Sequence, residues 1–154
     1  ELEAMLIENS DEPFASQIAK AILAARKKGL PIETTMQLKD IITQAIKMIP
    51  KTNENDIKKA CQRTFQALRI DINQEFEVLD LLLEKLPNAL KPGGRVAILT
   101  FHSGEDRRVK KSFKTLFKEG VYQEIAPDPI RPTPQEINAN SRARSAKLRW
   151  AIKA

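Results

Sequence analysis

The chain has 154 residues and a formal net charge of +6, with 42% hydrophobic and 30% charged side chains, a balance that fits one ordinary globular domain or two small ones. No apolar run approaches the roughly 18 to 20 residues of a membrane span, and Glu1 to Ser10 lacks the basic-then-apolar pattern of a signal segment, so no membrane and no secretory route is expected. A single cysteine, Cys61, excludes an internal disulfide, and a single histidine, His102, excludes a Cys/His metal cluster; no metal is expected, and the compartment is read as reducing and cytoplasmic.

The first half reads as helices. Asp11 and Pro13 supply a start, and Phe14, Ile18, Ala21, Ile22 and Ala25 recur at helical spacing, which predicts a helix over 13–28 closed by Gly29. Thr34 or Thr35 caps a second helix with Leu38, Ile41, Ile42, Ala45 and Ile49 on one face, ended by Pro50. Ile57, Cys61, Phe65 and Leu68 mark a third helix, and Phe76, Leu79, Leu82, Leu83 and Leu86 a fourth. These stripes read as helix-bundle core, and Cys61, inside one of them, as a small buried residue.

At Lys91 the pattern changes. Leu90-Lys-Pro-Gly-Gly94 is a turn, and Arg95 to Phe101 is a short, nearly continuous apolar run. It predicts a strand buried on both faces, inside a parallel sheet. An amphipathic helix follows over about 104–118, and a short strand at 121–125. Pro127, Pro129, Pro132 and Pro134 mark an irregular surface connection, and a brief helix is expected near 134–140. From Ala146 to Ala154, Leu148, Trp150 and Ile152 alternate with Lys147, Arg149 and Lys153, which predicts a strand with one polar face. The order of elements is that of an α/β domain. Three strands are few for a doubly wound sheet, and the absence of an initiator methionine adds to the expectation that the chain is a fragment.

Charge is uneven along the chain. Residues 1–90 carry 12 basic against 14 acidic side chains, while residues 91–154 carry 14 against 6, so the whole basic excess lies in the last part. Such clustering is the electrostatic footprint of a phosphate-rich partner, or simply a solvated surface.

Ligands of open α/β sheets bind at the carboxyl ends of strands, which directs attention to His102-Ser-Gly-Glu-Asp-Arg107 just after the 95–101 run. There, His102 and Ser103 either face a ligand or serve the loop, with Ser103 as helix cap and Glu105 and Asp106 favouring the first turn. Arg63, Gln66 and Arg69 share a helix face at spacings of three, either solvated or holding a phosphate or carboxylate. Arg142, Arg144, Lys147 and Arg149 crowd into eight residues and suit phosphate contacts without reading bases. No P-loop, Gly-rich dinucleotide fingerprint or nucleophile elbow is present.

The segments Arg63-Thr-Phe-Gln-Ala-Leu-Arg69, Lys91-Pro-Gly-Gly-Arg95, Phe101-His-Ser-Gly-Glu-Asp-Arg107 and Ser141-Arg-Ala-Arg-Ser145, with Pro31-Ile-Glu-Thr-Thr35 before them, resemble in order and spacing the bacterial 16S rRNA (cytosine-N4) methyltransferase family. The resemblance covers essentially the whole chain. It implies a Rossmann-like methyltransferase domain interrupted by an all-helical insertion, with residues 1–62 mostly insertion and 63–154 the C-terminal half of the catalytic domain. It further implies S-adenosylmethionine as cofactor, held by an N-terminal half that this chain does not contain, and small-subunit ribosomal RNA as partner.

His102, Ser103, Glu105, Asp106 and Arg107 are then the candidates for the substrate pocket. Arg63, Gln66, Arg69, Arg142, Arg144, Lys147 and Arg149 become candidates for RNA contact or support. No catalytic group and no cofactor contact is assigned within the chain. A cut sheet would leave an exposed apolar surface, through which self-association or a homodimer is expected. Gly104 stands where a leucine is usual in the family, and residues 60–62 and Ser141 also depart from its pattern. Gly104 is expected to loosen the helix start. The reading from another class is a non-catalytic RNA-binding or assembly module derived from the same fold.

Overall fold

The computed structural model describes residues 1–154, which divide into two compact units, Glu1–Glu75 and Phe76–Ala154. The first unit is helical: α1 (Leu2–Ser10), α2 (Ala15–Lys27), α3 (Thr35–Lys47) and α4 (Glu54–Asn73). The first of these has no counterpart in the sequence reading. Asp11, expected to start a helix, instead ends α1 in a left-handed conformation with φ 51°. Glu12 then accepts the Phe14 N–H at 3.0 Å, which serves the start of α2 in place of an ordinary cap.

The later starts follow side-chain chemistry. Thr34 accepts the Gln37 N–H while the Gln37 side chain accepts the Thr34 N–H, and Asn53 and Asp56 repeat that reciprocal box at α4. Leu6, Ile18, Ile42, Ile46, Ala60 and Ala67 are buried together as the core of the unit, and Cys61 lies at its edge, as its place in the apolar stripe implied. Burial pushes the Cys61 thiol up, against a smaller opposing effect of its hydrogen bond with Thr43. Residues 62 and 63, the expected domain limit, lie inside α4, while the division between units falls after Glu75.

The second unit contains α5 (Glu75–Ala89, whose first residue closes the helical unit), β1 (Arg95–Thr100), α6 (Ser103–Lys118), β2 (Tyr122–Ile125), α7 (Pro134–Ala139), a 3-10 turn (Ser141–Ser145) and β3 (Lys147–Lys153). Its sheet has the order β1-β3-β2, with β3 antiparallel to both neighbours, so β1 and β2 run parallel and are joined by the α6 crossover. Gly93, at φ 75°, turns the chain into β1 and donates its N–H to Lys153 at 2.9 Å, which ties the turn to the end of β3.

The strand over 95–100 is therefore an edge strand. It is not the interior strand of a parallel sheet, and it is not buried on both faces. Val96 and Ile98 turn toward the core of Leu83, Val109, Phe113, Tyr122 and Ala151, whereas Ala97 and Leu99 are exposed. Opposite them on the same outer face stand Trp150 and Leu148.

A second correction concerns β3. Its alternation is real, but the supposedly polar face is the inner one: Arg149 and Ala151 are buried, while Leu148, Trp150 and Ile152 stay partly open on the outer face. Alternation identifies two faces without saying which one a helix will cover.

Candidate active site

The turn from β1 into α6 is built by short-range hydrogen bonds. His102, with extended backbone, is the N-cap of α6, and its Nδ1 accepts the Glu105 N–H at 3.4 Å. Glu105 reaches back in turn. One carboxylate oxygen accepts the Phe101 N–H at 2.9 Å, and the other lies 3.4 Å from His102 Nε2. The capping role expected of Ser103 thus falls to His102, and Ser103 is left exposed as the first helical residue. Glu105 and Asp106 bring negative charge to the positive end of the helix dipole.

Phe76, from the start of α5, closes this turn from one side. Its ring centroid lies 5.9 Å from that of His102, and the Arg108 guanidinium stacks on it at 4.2 Å while pairing with Asp80. A Cβ at position 104 would fall 2.6 Å from the Phe76 ring, so glycine lets the aromatic side chain approach. The expected loosening is thereby corrected, because Gly104 is buried and the space above it is filled. Phe76 is the site residue that sequence reasoning missed. It lies 26 positions before His102 and reads as one more apolar position of a helix.

Asp106, a candidate for the pocket or for the helix's first turn, and Arg149, a candidate for RNA contact or support, both turn inward. The Asp106 carboxylate accepts from Arg149 Nε at 2.7 Å and Nη2 at 3.3 Å, with Lys147 Nζ at 3.4 Å, and both Asp106 and Arg149 are 6% exposed. Burial alone would raise the Asp106 pKa, but the Arg149 hydrogen bond and charge, with Lys147 behind them, hold it below the usual carboxylate range. Asp106, Lys147 and Arg149 thus form an internal ion-pair cluster joining the first turn of α6 to β3.

The other candidates separate. Arg107 is exposed one residue beyond Asp106. Arg142 and Arg144 are exposed on the 3-10 turn, and Arg142 lines a groove with Leu99, Phe101, Ile130 and Leu148, which brings it beside the strand end that leads to His102. Arg63, Gln66 and Arg69 belong to the helical unit. There Arg63 binds buried Glu12 at 2.9 Å, Arg69 binds Glu75 through two contacts of 2.8 and 3.1 Å, and Gln66 is half-buried between them on α4. Of the two sharper readings for that face, these arginines take the carboxylate one. The buried acid of the turn, Asp106, is already committed to Arg149 and Lys147.

A polar turn at the carboxyl end of a strand is where open α/β sheets bind ligands, and comparison with known proteins gives the class. The MraW methylase family model matches residues 1–154, and the chain belongs to that family. Over its full length it is 63% identical to ribosomal RNA small subunit methyltransferase H 2 of Alkaliphilus metalliredigens, covering 44% of that protein. It is 60% identical, again over its full length, to ribosomal RNA small subunit methyltransferase H 1 of Lachnoclostridium phytofermentans, covering 42%. Over 97% of its length it is 44% identical to a methyltransferase H of Synechococcus sp. (strain JA-3-3Ab), covering 45%. The chain thus spans less than half the length of the curated relatives it matches.

The cluster yields a prediction with a definite sign. Because the folded pKa of Asp106 is depressed, its contribution is present above the unfolded carboxylate value of about 4 and is lost as pH falls through the folded value. Asp106→Asn should cost about 3–5 kcal/mol at pH 7, since it leaves buried Arg149 uncompensated. The gap to wild type should narrow below about pH 4 in urea titrations at several pH values. A gap that stays constant down to pH 2.5 would contradict the assignment.

Gly104 yields another. Gly104→Ala should lower stability by about 1–3 kcal/mol through overpacking against Phe76, although alanine is the better helix former. Adding Phe76→Leu should recover part of the loss in thermal melts. A stabilised Gly104→Ala single variant would mean that the ring yields freely.

Proposed function

We propose that this chain is part of an enzyme that transfers a methyl group from S-adenosylmethionine to the exocyclic N4 amine of a cytosine in small-subunit ribosomal RNA. The observation that supports the reading is the match, over this chain's whole length and less than half of theirs, to relatives named as small-subunit rRNA methyltransferases, with the His102 turn at the carboxyl end of β1. In this reading the cofactor supplies the electrophilic methyl group, and its contacts come from residues other than these 154. In this reading further strands of a complete methyltransferase domain pair with the open edge of β1, and another layer covers the apolar outer face of Leu99, Leu148 and Trp150.

The residues of this chain act by position. A base in structured RNA has to be unstacked before its amine can reach a methyl carbon, and a closed, oriented pocket supplies much of the rate without a strong base. Ser103 and Arg107, exposed at the start of α6, contact the extruded nucleotide and its phosphate. His102 and Glu105 hold the turn that presents them, and Asp106 acts indirectly through β3. Arg142 extends the contact along the groove beside Phe101.

Labelled S-adenosylmethionine, small-subunit rRNA and the full-length protein containing this chain should give radiolabelled RNA whose nuclease digest contains N4-methylcytidine. Ser103→Ala together with Arg107→Ala should lower turnover at least tenfold while the fold is retained. The 154-residue chain alone should show no cofactor binding by calorimetry. Methyl groups on another base, or on protein, would overturn the reading. Labelled cofactor bound one-to-one by the short chain would contradict the placement of the cofactor contacts and favour a complete site within it.

A further inference from the structure

The cations of α6 are not scattered around the helix. At 3.6 residues per turn, Lys110, Lys111, Lys114 and Lys118 fall within an arc of about 100°, with Arg107 on the same side, opposite the face that buries Val109 and Phe113. All five are exposed. The four lysines span about 12 Å of helix axis, and no acidic residue occurs in α6 between Asp106 and its C-cap, Glu119. The remaining cation of the helix, Arg108, points elsewhere and is consumed by Asp80 and the Phe76 ring. Lys111 shares the groove between α5 and α6 with Asp80 and Glu84.

The long helix α4, by contrast, carries both signs, with Glu54, Asp56 and Asp71 besides Lys58, Lys59, Arg63 and Arg69. A single-sign ridge on a folded helix costs self-repulsion, which a polyanion relieves. The first lysine of the ridge, Lys110, stands about one helical turn beyond Asp106 of the cluster that fixes the candidate site, and the ridge runs away from it.

We propose that the lysine ridge of α6 is an RNA-tracking surface, which holds the phosphates flanking the nucleotide presented at the His102 turn. The proposal rests on the rRNA reading given above and adds to it the surface that carries the strand. Ammonium groups of this kind act as point charges, so the ridge contributes affinity and direction without sequence preference.

The test replaces Lys110, Lys111, Lys114 and Lys118 together by glutamine. A charge-matched control replaces Lys27, Lys28, Lys58 and Lys59, which are exposed in the helical unit. Binding of a transcribed small-subunit rRNA fragment is measured against salt for the wild-type protein and both variants, with folding checked by thermal melts. Each phosphate contact on a single strand contributes a slope of about 0.7 in log K against log salt, so the ridge variant should lose about two to three units of slope and about tenfold or more in affinity at 0.1 M salt. The control should keep the wild-type slope.

Equal slopes for wild type and ridge variant, or an equal loss in the control, would overturn the ridge while leaving the rRNA reading intact. Absence of any RNA affinity in the wild-type protein would instead bring down the rRNA reading and the ridge with it. If the ridge variant loses binding only to phosphatidylserine vesicles, the surface is a lipid-facing one and the proposal fails.

Discussion

Asp106 holds two secondary-structure elements in one geometry. Its carboxylate sits between Arg149 and Lys147 of β3, and its backbone N–H donates to the His102 carbonyl at 3.2 Å. The same residue is thus a rung of the first turn of α6 and the anchor of that turn on the central strand. Such a buried pair adds little net stability over an apolar replacement, because desolvating both ions consumes most of the attraction. Its contribution here is to register. A slip of β3 by one residue would carry Arg149 to the outer face and bring Trp150 against α6, leaving the Asp106 charge buried without its partner.

From that anchor the rest of the second unit follows. With β3 fixed, Ala151 presents a small side chain to the core that Val109, Phe113 and Tyr122 fill, and β1 and β2 pair on either side. The Phe113 and Tyr122 rings meet edge to face at 5.5 Å between centroids. The start of α6 is then held from three directions: by Asp106 toward β3, by Glu105 toward the Phe101 N–H, and by Phe76 over Gly104. Ser103 and Arg107 are exposed between these fixed points, on a rigid base.

Much of this was legible from the residues. The α3 start follows from Thr34, the α6 stripe follows from Val109 and Phe113, and the three strands lie where β-branched runs and alternation put them. What escaped did so for physical reasons. Helix α1 is short and buries little more than Leu6 deeply, so it carries a weak periodic signal. The Arg63 and Arg69 partners, Glu12 and Glu75, depend on packing within the helical unit, and only Glu75 lies near its partner in sequence. Arg149 looked like surface charge because alternation in a strand has no sign, and its partner Asp106 is 43 residues away. The contact of Phe76 with Gly104 is equally non-local. The turn itself was found because its position after a strand is a matter of topology.

Amide hydrogen exchange in an Arg149→Met variant tests the central claim most directly, since it removes the anchor without altering a residue of α6. If the Asp106–Arg149 pair holds the start of α6, the Glu105 and Asp106 amides, which donate to His102 in the folded turn, should lose protection selectively. The amides around Phe113 and Leu116 should keep theirs. Unchanged protection at Glu105 and Asp106 in a folded variant would contradict the account, and so would a uniform loss along the whole of α6.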